Sequence, residues 1–229
     1  LVSGDTFDGT YTGAFSDKNA GVGKTVTITS SYSGADVSNY SVTDQSSTTA
    51  NITAKSLTVS GITASDKTYD GSTSATLTGT AVYSGLVSGD IFTGSYTGAF
   101  SDKNVGTGKT VNITPSYSGA DVNNYSVTDQ SSTTADISAK ALTATASASN
   151  KTYDGGTTAS TTLTFTGLVG SETLGQTVGS TFDNKNVGSN KTVTVNSITL
   201  SDGSGLASNY SISAGQTTTA DITAKSLTV

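Results

Sequence analysis

Four groups of polar residues in this sequence are of types that could do chemistry. Gly23-Lys24-Thr25 and Gly108-Lys109-Thr110 look like the end of a phosphate-binding loop. Such a loop needs a glycine five residues ahead of the Gly-Lys pair and a helix behind it, whose N-terminal amides hold the phosphate. Lys18 and Lys103 occupy that glycine position, and a strand-like alternation follows, so nucleotide binding is not expected. Asp66, Asp70, Asp102 and Asp121 recur near loops and could supply calcium, but that ion needs six to eight converging oxygens and no dense Asp-x-Asp-x-Asp run is present. They are expected to be exposed, turn-forming aspartates. Lys103-Asn104 beside Phe100 could form an isopeptide crosslink to an Asn or Asp, a reaction that wants a buried carboxylic acid nearby. The one glutamate, Glu172, occurs in a single copy. Asn39, Asn51, Asn112, Asn124, Asn150, Asn190 and Asn209 each open an Asn-x-Ser/Thr sequon, which a chain more than one-third Ser and Thr generates readily by chance.

The absences narrow the chemistry further. There is no Cys, His, Trp, Met or Arg, which removes the thiol nucleophile, the imidazole base, the thiolate and imidazole metal ligands and the arginine clamp. No catalytic, cofactor-binding or metal-binding residues are assigned, and no enzyme is expected. The net charge of −6 is spread along the chain, and the eleven lysines come one at a time. Phosphate backbones and anionic lipid would repel such a surface, so nucleic-acid binding and membrane insertion are not expected.

What positions these residues is a repeat. Residues 86–143 match residues 1–58 at 47 of 58 positions, and a diverged third copy runs from Leu168 to Thr228. A fixed period of this kind means one folding unit used several times. The division expected is 1–58 as a truncated first repeat, 59–140 as a complete second repeat and 141–229 as a diverged third. A start in the middle of a repeat points to an excerpt from a longer polypeptide.

Within the second repeat the apolar residues alternate. Leu57 to Ala64 reads as a strand that also bridges from the preceding repeat. Ala75, Leu77, Gly79, Ala81 and Tyr83 follow at period two, then Phe92, Gly94, Tyr96, Gly98 and Phe100. Phe7, Tyr11 and Phe15 repeat this phase in the first copy, and Leu174, Val178 and Phe182 in the third. The Ser-Asp-Lys-Asn-Val-Gly loop turns the chain into a strand from Lys109 to Thr114, closed by the one proline, Pro115. The expected core of this repeat is Ile62, Tyr69, Leu77, Val82, Leu86, Ile91, Phe92, Tyr96, Phe100, Val111, Ile113, Tyr117, Val122, Tyr125, Val127, Ile137 and Leu142. No segment has the apolar spacing of a helix. Six or seven short strands separated by turn signals predict an all-β fold of tandem immunoglobulin-like β-sandwich repeats, set end to end as a rod.

Lys-Thr-Tyr-Asp-Gly occurs at Lys67–Gly71 and again at Lys151–Gly155. Together with the Leu-Val-Ser-Gly-Asp turn, the Asp-Lys-Asn-Val-Gly loop, Gly-Ala-Asp-x-x-Asn-Tyr and the closing Ala-Asp-Ile-x-Ala-Lys, it resembles the YDG-type repeats of very large secreted bacterial adhesins of the filamentous haemagglutinin kind. That resemblance implies a stalk or spacer at the bacterial cell surface, extending an adhesive region for attachment or biofilm cohesion. Partners would be neighbouring repeats of the same polypeptide, with host or matrix glycans met by regions outside this chain, which itself would be monomeric. A weak carbohydrate-binding module is the alternative, with Tyr32, Tyr83 or Tyr117 stacking on sugars. Tyr69 and Tyr153 are expected to bury their rings and to bond a loop carbonyl. Neither junction between repeats has a flexible Pro/Gly/Ser-rich linker, at 54–62 or at 139–148, so neighbouring repeats should pack with little freedom.

Overall fold

A computed structural model describes residues 1–229 and is all-β, with nineteen strands, three single-turn 3-10 segments and no α-helix. The first repeat forms β1 (Asp8–Phe15), β2 (Gly21–Ser33) and β3 (Ser47–Ile52), and β4 (Lys55–Ala64) leads out of it. The second comprises β5 (Lys67–Thr68), β6 (Ser74–Ala75), β7 (Leu77–Ser84), β8 (Thr93–Phe100), β9 (Gly106–Ser118), β10 (Tyr125–Thr128) and β11 (Ser132–Ser138). After β12 (Lys140–Ala141) come β13 (Thr143–Ala148), β14 (Lys151–Thr152), β15 (Thr161–Thr166), β16 (Leu174–Phe182), β17 (Gly188–Asp202), β18 (Tyr210–Ser211) and β19 (Thr217–Thr223). Packing divides the chain into two compact units: residues 1–62, 79–96 and 114–131 in one, and 63–78, 97–113 and 132–229 in the other.

In the first unit β1, β2 and β3 make an antiparallel sheet, and β10, β4 and β7 a second sheet in that order. β10 runs parallel to β4, with Tyr125 opposite Lys55 and Thr128 opposite Thr58. Leu57, Phe92 and Tyr125 are its buried centre, with Tyr83, Leu86, Tyr117, Val122 and Val127 packed around them. In the second unit β5, β11, β9, β8 and β6 form one sheet and β14, β19, β17 and β16 its counterpart. One buried cluster joins Tyr69, Phe100, Val111, Ala135, Ile137, Leu142 and Tyr210, and another joins Ala159, Phe182, Val193, Ala220 and Ile222.

The alternation read from the sequence is what burial follows: Phe92 and Phe100 are buried, Gly94, Tyr96 and Gly98 half-buried, and Ile91, Thr93, Ser95, Thr97 and Ala99 exposed. Two expected core residues fall on the wrong side of it. Ile91 is 60% exposed and Val82 54% exposed, because each is one residue out of phase with its inward neighbours, Phe92 and Tyr83. In a strand a one-residue offset places a side chain on the opposite face. The first copy keeps the phase but not the burial, with Tyr11 64% and Phe15 43% exposed.

Pro115 lies inside β9 instead of closing it. In β2 the amide of Ile28 donates to Ser46 on the β3 side (2.9 Å), and the amide of Ser30, two residues on, faces the same way. Pro115 is the counterpart of Ser30, and β11 pairs with β9 no further than Asn112, so the missing N–H removes no ladder bond. From Phe182 to Tyr210 the third copy has three residues more than Phe100 to Tyr125 in the second, and a bulge takes up one of them: Gly179 opposes Ser197 while Ser180 opposes Val195, which leaves Asn196 unpaired between them.

Candidate functional site: the repeat junctions

The motifs that suggested chemistry turn out to hold strands and repeats together. In Gly108-Lys109-Thr110 the register of β9 against β11 shifts, and Gly108 takes φ 58°. Its amide donates to Asp136 Oδ1 at 2.7 Å, and Lys109 reaches Asp102 at 2.7 Å. Gly23 repeats the arrangement at φ 64°. In the third copy Asn190 occupies the position at φ 50°, the one residue other than glycine with positive φ, and donates its amide to Asp221 at 2.7 Å. Asparagine tolerates the left-handed region better than other side chains do.

Lys67-Thr-Tyr-Asp-Gly71 is a clamp. Asp70 accepts the Ser72 amide at 2.8 Å, closing its own turn around Gly71 at φ 79°. The Lys67 ammonium donates to Asp70 (2.8 Å) and to the carbonyls of Ser72 (2.8 Å) and Ser74 (3.1 Å), and lies 5.4 Å from the centre of the Phe100 ring. Lys151, Asp154 and Phe182 repeat the set. The Lys67 partner holds the Asp70 carboxyl down at about 2.

The remaining recurring residues meet where one repeat joins the next. In the first unit Lys18, from the loop between β1 and β2, places its ammonium 2.8 Å from Asp90 and 2.8 Å from Asp121. The Tyr125 hydroxyl donates to Asp90 Oδ2 (2.6 Å) and accepts from the Val87 amide (3.0 Å). The Ile91 amide donates to Asp121 (2.8 Å). Asn124 accepts from the Ala20 amide (2.8 Å) and donates to the Asn19 side chain (3.1 Å). Leu57, on the linking strand β4, is fully buried in the cluster with Phe92 and Tyr125. Lys18 holds the Asp90 and Asp121 carboxyls below the usual range, and they push its own pKa upward.

The second unit repeats this junction with different residues. Lys103 reaches Glu172 at 3.1 Å, and the Tyr210 hydroxyl donates to the other oxygen of that carboxylate at 2.6 Å. The Val105 amide donates to Asn209 at 2.9 Å, and the Asn209 side chain donates to Asn104 at 3.0 Å. β12 pairs with β18 in parallel, bringing Leu142 into the core. Tyr69 adds a further donor, its hydroxyl 2.7 Å from Glu172 and its ring edge-on to Tyr210 at 5.4 Å. Hydrogen bonds from Tyr210, then Tyr69 and Lys103, hold the Glu172 carboxyl below its usual value against the opposing effect of burial.

Several expectations change here. Tyr69 bonds the carboxylate of the following repeat, not a loop carbonyl. Asp121 is buried at 6% exposure, not an exposed turn residue, because it is the acid that receives Lys18. Of the sequons, Asn209 is fully buried and Asn124 is tied into the junction, whereas Asn39, Asn51, Asn112, Asn150 and Asn190 are exposed. Nowhere do three acidic side chains converge as metal ligands. Tyr83 and Tyr117 pack on Phe92 at 5.3 and 5.1 Å between ring centres, and Tyr32 packs on Phe7 at 5.2 Å. The pairing of Lys-Asn in one repeat with acid, Asn and Tyr in the next could not be foreseen from either motif alone. The signal available was that all of them recur at one period.

Comparison with known families accounts for the same residues. The YDG domain model matches residues 1–50, 53–135 and 138–220. The chain belongs to the YDG domain family. Neither the curated proteins nor the solved structures returned a match. The name-giving Tyr-Asp-Gly of this YDG array is therefore a turn whose Asp is clamped by lysine and whose Tyr69 reaches the next repeat.

Proposed function

We propose that this YDG array is a structural stalk or spacer of a large bacterial cell-surface adhesin, extending an adhesive region away from the cell for attachment or biofilm cohesion. In this reading it works outside the cell as tandem immunoglobulin-like sandwiches set end to end. It has no catalytic centre or cofactor and binds neither nucleic acid nor membrane, and its partners are neighbouring repeats. The observation that carries the reading is the construction of the junctions. The chain passes from β3 into β4 with two residues between, and β4 is hydrogen-bonded to β10 of the next repeat. An ion pair, an asparagine pair and a buried leucine close the same joint. A spacer must resist bending at its joints, and this joint has no flexible segment to bend. The residue inventory, without Cys, His or Arg, supports a mechanical over a chemical role.

Small-angle scattering tests the proposal. A rod of three such repeats, with strands of about ten residues rising ~3.3 Å each, would have a radius of gyration of about 30 Å. A compact globule of this length would give about 17 Å, and that value would refute the spacer reading.

A further inference from the structure

In the second and third repeats a strand from the start of the repeat lies parallel to the strand by which the chain leaves it. β5 runs beside β11, with Lys67 opposite Ile137 and Thr68 opposite Ser138. β14 runs beside β19 in the equivalent register, Lys151 opposite Ile222 and Thr152 opposite Thr223. Tension along the chain pulls the early strand toward its N-terminus and the leaving strand toward its C-terminus. In a parallel pair those pulls are opposed along one axis, so the bonds between the strands carry the load together. In an antiparallel pair pulled apart from one end, the bonds open one at a time.

The Lys-Thr-Tyr-Asp-Gly motif closes this ladder at both ends. Ahead of it Asp66 Oδ1 accepts the Asp136 amide at 2.7 Å, and within it the Tyr69 amide donates to the Ser138 carbonyl at 2.9 Å. The third repeat keeps both bonds: Asn150 Oδ1 accepts the Asp221 amide at 2.7 Å, and the Tyr153 amide donates to the Thr223 carbonyl at 2.9 Å. The leaving strand is pinned in the core by Ile137 and Ile222, each 1% exposed. The early strand is kept from sliding by the turn that Lys67 locks onto Asp70, and by its copy at Lys151 and Asp154. The parallel ladder at the entry of each repeat is not preserved in this way. β4 and β10 share four residue pairs, and the Gln130 side chain bonds both the amide and the carbonyl of Ile62, at 3.0 and 2.6 Å. β12 and β18 share two pairs, and Gly215 stands where Gln130 does.

We propose that Lys-Thr-Tyr-Asp-Gly is the mechanical catch of each repeat: with the leaving strand it forms a shear-loaded ladder that sets the force at which the repeat opens under tension. The catch is built alike in the two repeats and the entry ladder is not, so the two repeats resist alike. Its use in an array under tension rests on the spacer reading, but the response to force belongs to the repeat itself and is measured without it.

Single-molecule force spectroscopy of the intact chain tests this, because a chain without cysteine can be held at any introduced pair. Ala54→Cys with Ala139→Cys loads the second repeat along the chain, and Ala139→Cys with Ala224→Cys loads the third. Thr93→Cys with Ser118→Cys instead pulls at the ends of β8 and β9 farthest from their connecting loop, which peels that hairpin. At one loading rate the second repeat should open along the chain at a force at least about twice that of peeling, and the third repeat should match it. Asp66→Ala removes the side-chain acceptor of the Asp136 amide. It should make the second repeat open about fivefold faster at constant force along the chain, the worth of one hydrogen bond, and leave peeling unchanged. Equal forces in the two directions would overturn the proposal. So would a third repeat that opens at a force lower in proportion to its shorter entry ladder, or an Asp66→Ala variant that is accelerated in neither direction or equally in both. A compact scattering profile would refute the spacer reading and leave these forces as stated.

Discussion

Leu57→Ala tests the junction at its apolar centre. The side chain is 0% exposed and sits in a cluster with Phe92 and Tyr125, which Tyr83, Leu86 and Tyr117 surround. The substitution removes three carbons, and at ~0.8 kcal/mol each the lost transfer free energy is about 2.4 kcal/mol. The rings around the site cannot close over the gap. Tyr125 is held at its hydroxyl by Asp90 and by the Val87 amide, and Phe92 is wedged between Tyr83 and Tyr117. A residual cavity adds about 1 kcal/mol, for a total of ~3–4 kcal/mol. The loss should fall on the four-residue parallel ladder between Lys55–Thr58 and Tyr125–Thr128. Native-state hydrogen exchange reads this directly: amides of that ladder should exchange several hundred-fold faster, at ~1.4 kcal/mol per decade. Leu227→Ala, in the identical Ala-Lys-Ser-Leu-Thr-Val context but 88% exposed, should change stability by less than ~0.5 kcal/mol in dilute solution. A cost below ~1 kcal/mol for Leu57→Ala, or equal effects from the two substitutions, would refute the anchoring argument.

Phe100→Ala should cost ~3–5 kcal/mol in urea unfolding, since Phe100 is 3% exposed under the Lys67 ammonium, whereas Thr97→Ala on the outer face should leave stability unchanged. Tyr69→Phe should cost ~1–2 kcal/mol, one hydrogen bond to a carboxylate that keeps Tyr210 and Lys103 as partners. Gly108→Ala should cost ~1–2 kcal/mol through backbone strain alone, because at φ +58° a Cβ meets nothing within 4 Å; Asn190→Gly should be close to neutral. The lowered pKa values of Asp90, Asp121 and Glu172 make the junction stability one that is complete above the unfolded carboxylate values of 3.8 and 4.5 and is lost as pH falls through the folded ones. Thermal unfolding between pH 6 and pH 2 should therefore show a falling midpoint that Lys18→Gln flattens; a midpoint independent of pH would contradict the assignment.

The strands were legible because burial in this fold follows period two so closely. From Ile91 to Phe100 every residue lies on the face its phase assigns, and the two expected core residues found outside it, Ile91 and Val82, are hydrophobic side chains on the outward phase. The parallel pairings were not legible. β5 beside β11 and β12 beside β18 are ladders of two residues between segments some 70 positions apart, too short to leave a pattern. The polar partners were hidden for a related reason. Lys18 and Asp121 are separated by more than one repeat length, and each taken alone reads as a solvated loop residue.

The third repeat shows what the junction requires by how it departs from the second. Its counterpart of Asp121 is Leu206, so one of the two acids that face the lysine is gone. A lone aspartate in place of Asp90 would leave one short carboxylate to meet the lysine and the tyrosine. Glu172 is one methylene longer and uses one oxygen for Tyr210 and the other for both Tyr69 and Lys103, so both oxygens stay engaged. Gly205 makes room for it: a Cβ there would lie 2.6 Å from Glu172 Oε2. In the first junction Asp121 supplies a second acid for Lys18. What is preserved between the two junctions is a satisfied carboxylate facing a lysine over a buried leucine, and the residue types that achieve it vary. Replacing Glu172 by Asp should therefore weaken the second junction even though the charge is unchanged, because the shorter side chain cannot reach Tyr69, Tyr210 and Lys103 together.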